Sequence, residues 1–289
     1  MKTNFLIVFV VSLFSFSTVK SQEKIPFRLN EHYNILVDGL INQRDSVVLM
    51  FQIAMREASL ASNRKTKVES VVFDTTDFPE GLSKDNRIQV GNIIVNKIWI
   101  WDKEYTGNGA EGKIGTQLFD GKIFAINFDQ GQFELYDHLP DTSGFVALPL
   151  THEQGRLFIE ISSRLNEKEI KTKFLLQSGF SGMLLYNNQV GDDNQLAELL
   201  PRLDEKTLMN SAGEKLTNLI VEMPVVAVDS FRFTAVPVNV FTGEIKNQTT
   251  SYVGADFIHR FNWIIDIAGE TAYIQQNKYF GDSYYFLKQ

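Results

Sequence analysis

Side chains able to do acid–base, nucleophilic or metal chemistry are spread thinly along this chain of 289 residues. His32, His138, His152 and His259 are scattered, without an HExxH string or the tight spacing that puts two imidazoles on one metal ion. The chain has no cysteine, which excludes disulfides, thiolate nucleophiles and cysteine-ligated zinc together. Calcium loops, phosphate-cradling glycine loops and the strained serine turn of hydrolases are absent as strings, so neither a metal nor a cofactor is expected. Asp102, Glu104, Asp137 and Glu153 stand as isolated acids. One carboxylate has a suggestive context: Asp74 follows an apolar run and precedes two hydroxyls in Val71-Val72-Phe73-Asp74-Thr75-Thr76. Such a group could act as a general base on water. The second half, however, holds no equally placed partner for it.

The elements that would position any site read as strands. Ile35-Leu36-Val37, Ser46 to Phe51, Arg87 to Ile100 and Lys122 to Phe128 are β-branched or aromatic runs divided by polar residues. The second half repeats the style in Leu157 to Ile161, Lys171 to Leu176, Pro224 to Val228, Phe231 to Val240 and Trp263 to Ile267. Gly121, Asp129-Gln130-Gly131 and Asp229-Ser230 supply turns. Asn194 to Leu203, followed by Glu205 to Met209, reads as the one helical stretch. Trp99 and Trp101 share a period-2 face and are candidates to line a cleft.

Two pairs of segments recur in the same order. Leu49-Met50-Phe51-Gln52-Ile53-Ala54 parallels Phe174-Leu175-Leu176-Gln177-Ser178-Gly179: an apolar triplet, a glutamine, then a turn of small residues. Each is preceded by a hairpin pattern and followed by an apolar stretch. Ile114-Gly115-Thr116-Gln117-Leu118-Phe119 then matches Val253-Gly254-Ala255-Asp256-Phe257-Ile258. Both strings run without a gap into Phe124 to Phe128 and Trp263 to Ile267, which pairs Asn127 with Asp266 as structural polar groups. Gln52 and Gly115 are 63 positions apart, Gln177 and Gly254 are 77, and the helical stretch can hold the difference. The chain therefore reads as a duplication with Gln52 and Gln177 at its equivalent centres.

This pattern resembles the aspartic proteases, specifically two-lobed, retropepsin-like proteins of bacteria. In that family each lobe has an apolar-apolar-Asp-Thr/Ser-Gly loop and, later, an apolar-apolar-Gly strand that crosses behind it. Ser178 and Gly179 match the second loop, and Ile114-Gly115 and Val253-Gly254 match the glycine strands. Gln177 stands at the Asp position of the second loop; Gln52, Ile53 and Ala54 stand at the three positions of the first. The resemblance implies an all-β, pepsin-like double β-barrel, divided into lobes at 22–155 and 156–289. It also implies that the chemistry is lost. That mechanism needs two carboxylates sharing a proton, and an amide is neither a useful base nor a proton exchanger near neutral pH. Ile53 has no hydroxyl, so any hydroxyl clasp between the lobes would be made by Ser178 alone.

Non-catalytic binding of an extended peptide, or another envelope polymer, between the lobes is then the expected function. The alternatives are a divergent aspartyl peptidase that uses a displaced carboxylate such as Asp74, and a purely structural envelope protein. A net charge of −7 argues against a nucleic-acid partner, and Arg64-Lys65-Thr66-Lys67 is too short to change that. Lys2, the apolar run Phe5 to Phe16 and a permissive Val19-Lys20-Ser21 read as a signal peptide over residues 1–21. Export to a bacterial periplasm or the exterior is expected, with no membrane anchor after cleavage.

Overall fold

The computed structural model describes residues 23–288 apart from 105, 107, 108 and 210–214, so the signal peptide expected over 1–21 lies outside the described residues. Alternation builds most of the strands. Arg156–Leu165 buries every second side chain, which is the signature of a strand with one face on a core. In the first half, Ile35–Ile41 and Asp45–Phe51 form a hairpin (Leu36 opposite Met50) whose turn holds Asn42 and Gln43 at positive φ. In the second half, Arg156–Leu165 and Lys168–Gln177 form its counterpart, turning at Asn166, φ 55°.

Each hairpin belongs to a sheet that closes on itself. A seven-stranded sheet is closed by pairing of Ile35–Ile41 with Leu82–Val90, and an eight-stranded sheet by pairing of Arg156–Leu165 with Lys215–Val228. A third, six-stranded sheet joins the halves through Ile123–Asn127 and Phe261–Asp266, where Phe124 faces Ile265 and Ile126 faces Trp263. Its outer strands are Glu23–Pro26, paired with Gln132–Tyr136, and Val146–Pro149, paired with Thr271–Gln276. The strands Val146–Pro149 and Thr151–Glu153, which precede the division expected at residue 155, thus pair with second-half strands.

The many phenylalanines fill the barrels. Phe51, Phe119 and Phe133 are fully buried with ring centroids 4.9–5.4 Å apart, and Phe231, Phe233, Phe257, Phe261 and Phe280 do the same work in the second half. Such offset and edge-on contacts fix ring orientation as well as exclude water. Phe51 directly precedes Gln52, so core packing anchors the base of the first loop.

Two expectations are corrected. Residues 87–100 do not form one strand: Gly91, at φ 58°, turns the chain between Leu82–Val90 and Ile93–Glu104. The helical stretch is shorter and earlier, Asn188–Asp193 and Leu196–Leu199, and Glu205–Met209 lies within the strand Arg202–Met209. Arg202 to Thr207 are all exposed on this edge strand, so no buried face marks it as β. Among the described residues, no helix is long and apolar enough to cross a membrane.

Candidate functional site

The two repeated segments meet as parallel neighbours within each half. Asp45–Phe51 pairs with Gly112–Ile114, placing Phe51 beside Ile114, and Lys168–Gln177 pairs with Ser251–Gly254, placing Gln177 beside Gly254. The loops that follow have equivalent hydrogen bonds. Met55 N donates to Gln52 O and Phe180 N to Gln177 O. Thr116 N donates to Met55 O and Ala255 N to Phe180 O. Gly115 and Gly254 have nearly the same backbone conformation, φ −99° with ψ −165° and −176°, and each opens a short helical turn. The glycines are required by close approach: a Cβ on Gly115 would lie 2.4 Å from Met55 O, and one on Gly254 2.1 Å from Gly182 O.

Where the loops face each other, the sequence-derived residues converge. Ser178 is buried, and its hydroxyl accepts from Ile53 N at 3.0 Å and donates to Phe51 O at 2.8 Å, with Gln52 Oε1 3.1 Å away. Ile53, fully buried, has only its backbone N–H to offer, so the hydroxyl clasp is one-sided. The first half returns a different contact: the buried Asn34 donates from Nδ2 to Ser178 O at 2.8 Å. Gln52 and Gln177 are half-buried. The Gln52 amide packs against Gly179, where a Cβ would sit 2.7 Å from Nε2, and Gly179 N points at Gln177 Oε1 at 3.4 Å. The Gln52 amide thus crowds Gly179, and Gln177 accepts a long hydrogen bond from the N–H of the same residue. Replacing Ser178 by alanine leaves Ile53 N and Phe51 O buried without partners. Equilibrium urea unfolding should show a loss of about 1–3 kcal/mol.

Other candidates lie apart from this centre. Asp74 is exposed; its carboxylate accepts from Thr76 N and Asp77 N and so caps a local turn. Asp102, Glu104, Asp137 and Glu153 are ion-paired with Arg64, Lys113, Lys122 and Lys173. Asn127 and Asp266 play matching turn roles, accepting from Gln130 N and Gly269 N, each three residues on. Trp99 and Trp101 do share the outer face of their strand, over the buried Ile98 and Ile100. Trp101 Nε1 donates to Glu57 of the first loop and the ring meets Phe78 edge-on, whereas Trp99 is 40% exposed with Lys84 over it.

A buried polar cluster escaped the sequence reading. Asp256 and Arg260, each 1% exposed, form an ion pair at 2.8 Å. Arg260 also donates to the carbonyls of Phe280 and Asp282, at 3.0 and 2.7 Å, and Tyr285 N donates to Asp256 Oδ2. Burial pushes the Asp256 carboxyl upward against the pull of Arg260. His259, between them in sequence, stacks on Tyr33 at 3.9 Å with its Nε2 buried and unpartnered. Burial first, and the Arg260 charge second, lower its pKa from 6.5 to about 4. The unfolded chain therefore takes up a proton that the folded chain refuses. Stability from this group is present above the unfolded value and falls as pH drops from 6.5 toward 4, by on the order of 3 kcal/mol. Asp256 contributes with the opposite sign, so the comparison to make is with His259→Phe, which keeps an aromatic ring on Tyr33. Its melting temperature should fall less than that of the wild type over that range.

No family model matches the chain, and no curated protein matches it. Solved structures do. The aspartic proteinase from Irpex lacteus aligns over 91% of this chain and 99% of its own with a TM-score of 0.54 at 9% identity. Basic 7S globulin from soybean aligns over 89% of this chain and 95% of its own with a TM-score of 0.52 at 10% identity. The fold is thus the pepsin-like one, an all-β pair of barrels joined by a shared sheet.

Proposed function

We propose that this chain is a catalytically inactive protein on the aspartic-proteinase fold that binds an extended peptide between its halves, in an exported setting. One observation carries the reading: both loop centres, where the chemistry of this fold would need a carboxylate, hold an amide, Gln52 packed against Gly179 and Gln177 accepting from its N–H. Amides can donate and accept in the same site without the repulsion of two ionised acids. Backbone pairing along a cleft would then give affinity without turnover. The exposure of Asp74 and its use as a turn cap favour this reading over a displaced catalytic acid.

The test is incubation of the purified protein with a diverse peptide pool from acidic to neutral pH, followed by mass spectrometry of the pool. Peptides should be retained and recovered intact. Cleavage that disappears in an Asp74→Ala variant would overturn the proposal in favour of a peptidase. A second expectation concerns the amides themselves. In a Gln52→Asp/Gln177→Asp variant, two carboxylates would crowd the same glycine and one would be forced to hold its proton. With one folded-state pKa raised, stability should be near wild type at low pH and lost as pH rises. Urea unfolding at neutral pH should read a deficit of about 1–3 kcal/mol from that single shift.

A further inference from the structure

Two cavities that take no part in the loop centres adjoin each other at one end of the sheet joining the halves. The larger, about 510 Å³, draws its walls from both halves: Arg56, Asp120, Lys122 and Asp137 from the first, His152 and Asp266 from the second. The other, about 430 Å³, is lined by three amide residues, Asn92, Asn96 and Gln117, and by Glu23. Asp120 and Lys122 line both, so the two form one groove with a shared wall. Ile123, which opens the strand Ile123–Asn127, and Asp266, which closes Phe261–Asp266, fix its place in the fold. Gln52, Ile53, Gln177, Ser178 and Gly179 line neither cavity.

The charges of the groove largely neutralise one another. Arg56 is bidentate to Asp120 at 2.8 and 2.6 Å, and Lys122 donates to Asp137 at 2.6 Å. Asp266 Oδ1 takes the N–H of Gly269 at 2.8 Å. An ionic ligand of either sign therefore meets its own sign in the wall and competes with a standing pair. What the wall offers instead is a mixture of donors and acceptors. Each amide supplies two N–H donors and an acceptor oxygen, and a carboxylate has more acceptor sites than one cation fills. Between these polar groups, the half-buried Ile123 and Ile267 and the exposed Ala268 and Ile94 present aliphatic surface. Phe119 belongs to the lining, but at 3% exposure it offers no face for stacking.

We propose that this groove is a second binding site, for an uncharged, hydroxyl-rich chain: a neutral oligosaccharide of two or more rings. Every sugar hydroxyl both donates and accepts, which matches amides and paired ions better than it matches a single charge. The C–H faces of the rings then lie on the aliphatic surface. Two adjoining cavities suit consecutive rings, and each falls within the roughly 300–1,000 Å³ of small-ligand sites. Recognition of a peptide main chain draws on an unpaired strand edge, whereas Asn92, Asn96, Gln117 and the ion pairs offer side chains.

The probes are neutral trisaccharides of glucose, mannose and N-acetylglucosamine, titrated into the folded protein while nitrogen-15 NMR follows the side-chain amides. At least one should shift Asn92, Asn96 and Gln117 saturably and leave Gln52 and Gln177 in place. Asn96→Ala and Gln117→Ala should each weaken binding by about fivefold, the loss of a hydrogen bond. Asn96 is exposed, so its variant keeps the fold. Ala268→Trp should block the groove, and Asn247→Ala, outside it, should change nothing. Trigalacturonic acid and the deacetylated, cationic trimer of glucosamine should bind more weakly than the neutral trimer. Equal or tighter binding of either charged trimer would overturn the assignment to a neutral chain. Shifts at Gln52 and Gln177 with the groove amides unmoved would put the sugar at the loop centres and overturn the site. Displacement of bound sugar from the groove by the peptide pool, or no binding by any of the three neutral trimers, would overturn it as well.

Discussion

Replacing Gly254 by alanine should cost at least about 4 kcal/mol and leave little folded protein, the range reached only by severe steric or polar lesions. The added Cβ would lie 2.1 Å from Gly182 O and 2.5 Å from Phe180 O. Both obstacles are backbone, so no rotamer change relieves them. Phe180 O is also the acceptor for Ala255 N, and Gly254 N donates to Met183 O, so any shift breaks the bonds that hold the second loop. Gly115→Ala should behave alike, with Met55 O 2.4 Å from the new Cβ. Gly281→Ala is the control: nothing lies within 4 Å of its Cβ position, and its stability should change by less than about 0.5 kcal/mol. Thermal melts of the three variants check the ordering.

The second large effect is expected at Arg260. Arg260→Leu leaves the Asp256 carboxylate buried at 1% exposure without its cation, and leaves the carbonyls of Phe280 and Asp282 without their donor. Breaking a buried pair from one side costs about 3–5 kcal/mol. Arg260→Lys should lie between, because an ammonium keeps the charge but lacks the planar fork that serves several acceptors. Arg260→Leu/Asp256→Leu should recover part of the loss by removing the stranded charge. Urea unfolding ranks the variants, and limited proteolysis should cut first within residues 280–288, which this side chain holds in place.

What could be read in the sequence follows from which contacts are local or periodic. Strands such as Arg156–Leu165 announce themselves because one face is buried and the alternation is strict. The repeat was legible because a glycine pressed against a backbone carbonyl tolerates no substitute, so the Gly115 and Gly254 strings match where Ile53 and Ala54 differ from Ser178 and Gly179. The strand Arg202–Met209 was misread because Arg202 to Thr207 are exposed on both faces of an edge strand and show no hydrophobic period. The role of Asn34 was invisible for another reason: its partner, Ser178 O, lies 144 residues away and is a backbone atom that any residue would provide. The Asp256–Arg260 pair is spaced i to i+4 like an ordinary surface ion pair, and only the fold reveals that it is buried and holds the chain end.

In the proposed function, Gln52 and Gln177 lie where the peptide binds, within reach of the ligand. Nitrogen-15 NMR of the glutamine side-chain amides during titration with the peptide pool tests it directly. The resonances of Gln52 and Gln177 should shift together and saturate with the same apparent affinity. Saturable binding that moves other resonances while leaving both of these unmoved would place the ligand elsewhere and overturn the proposed function.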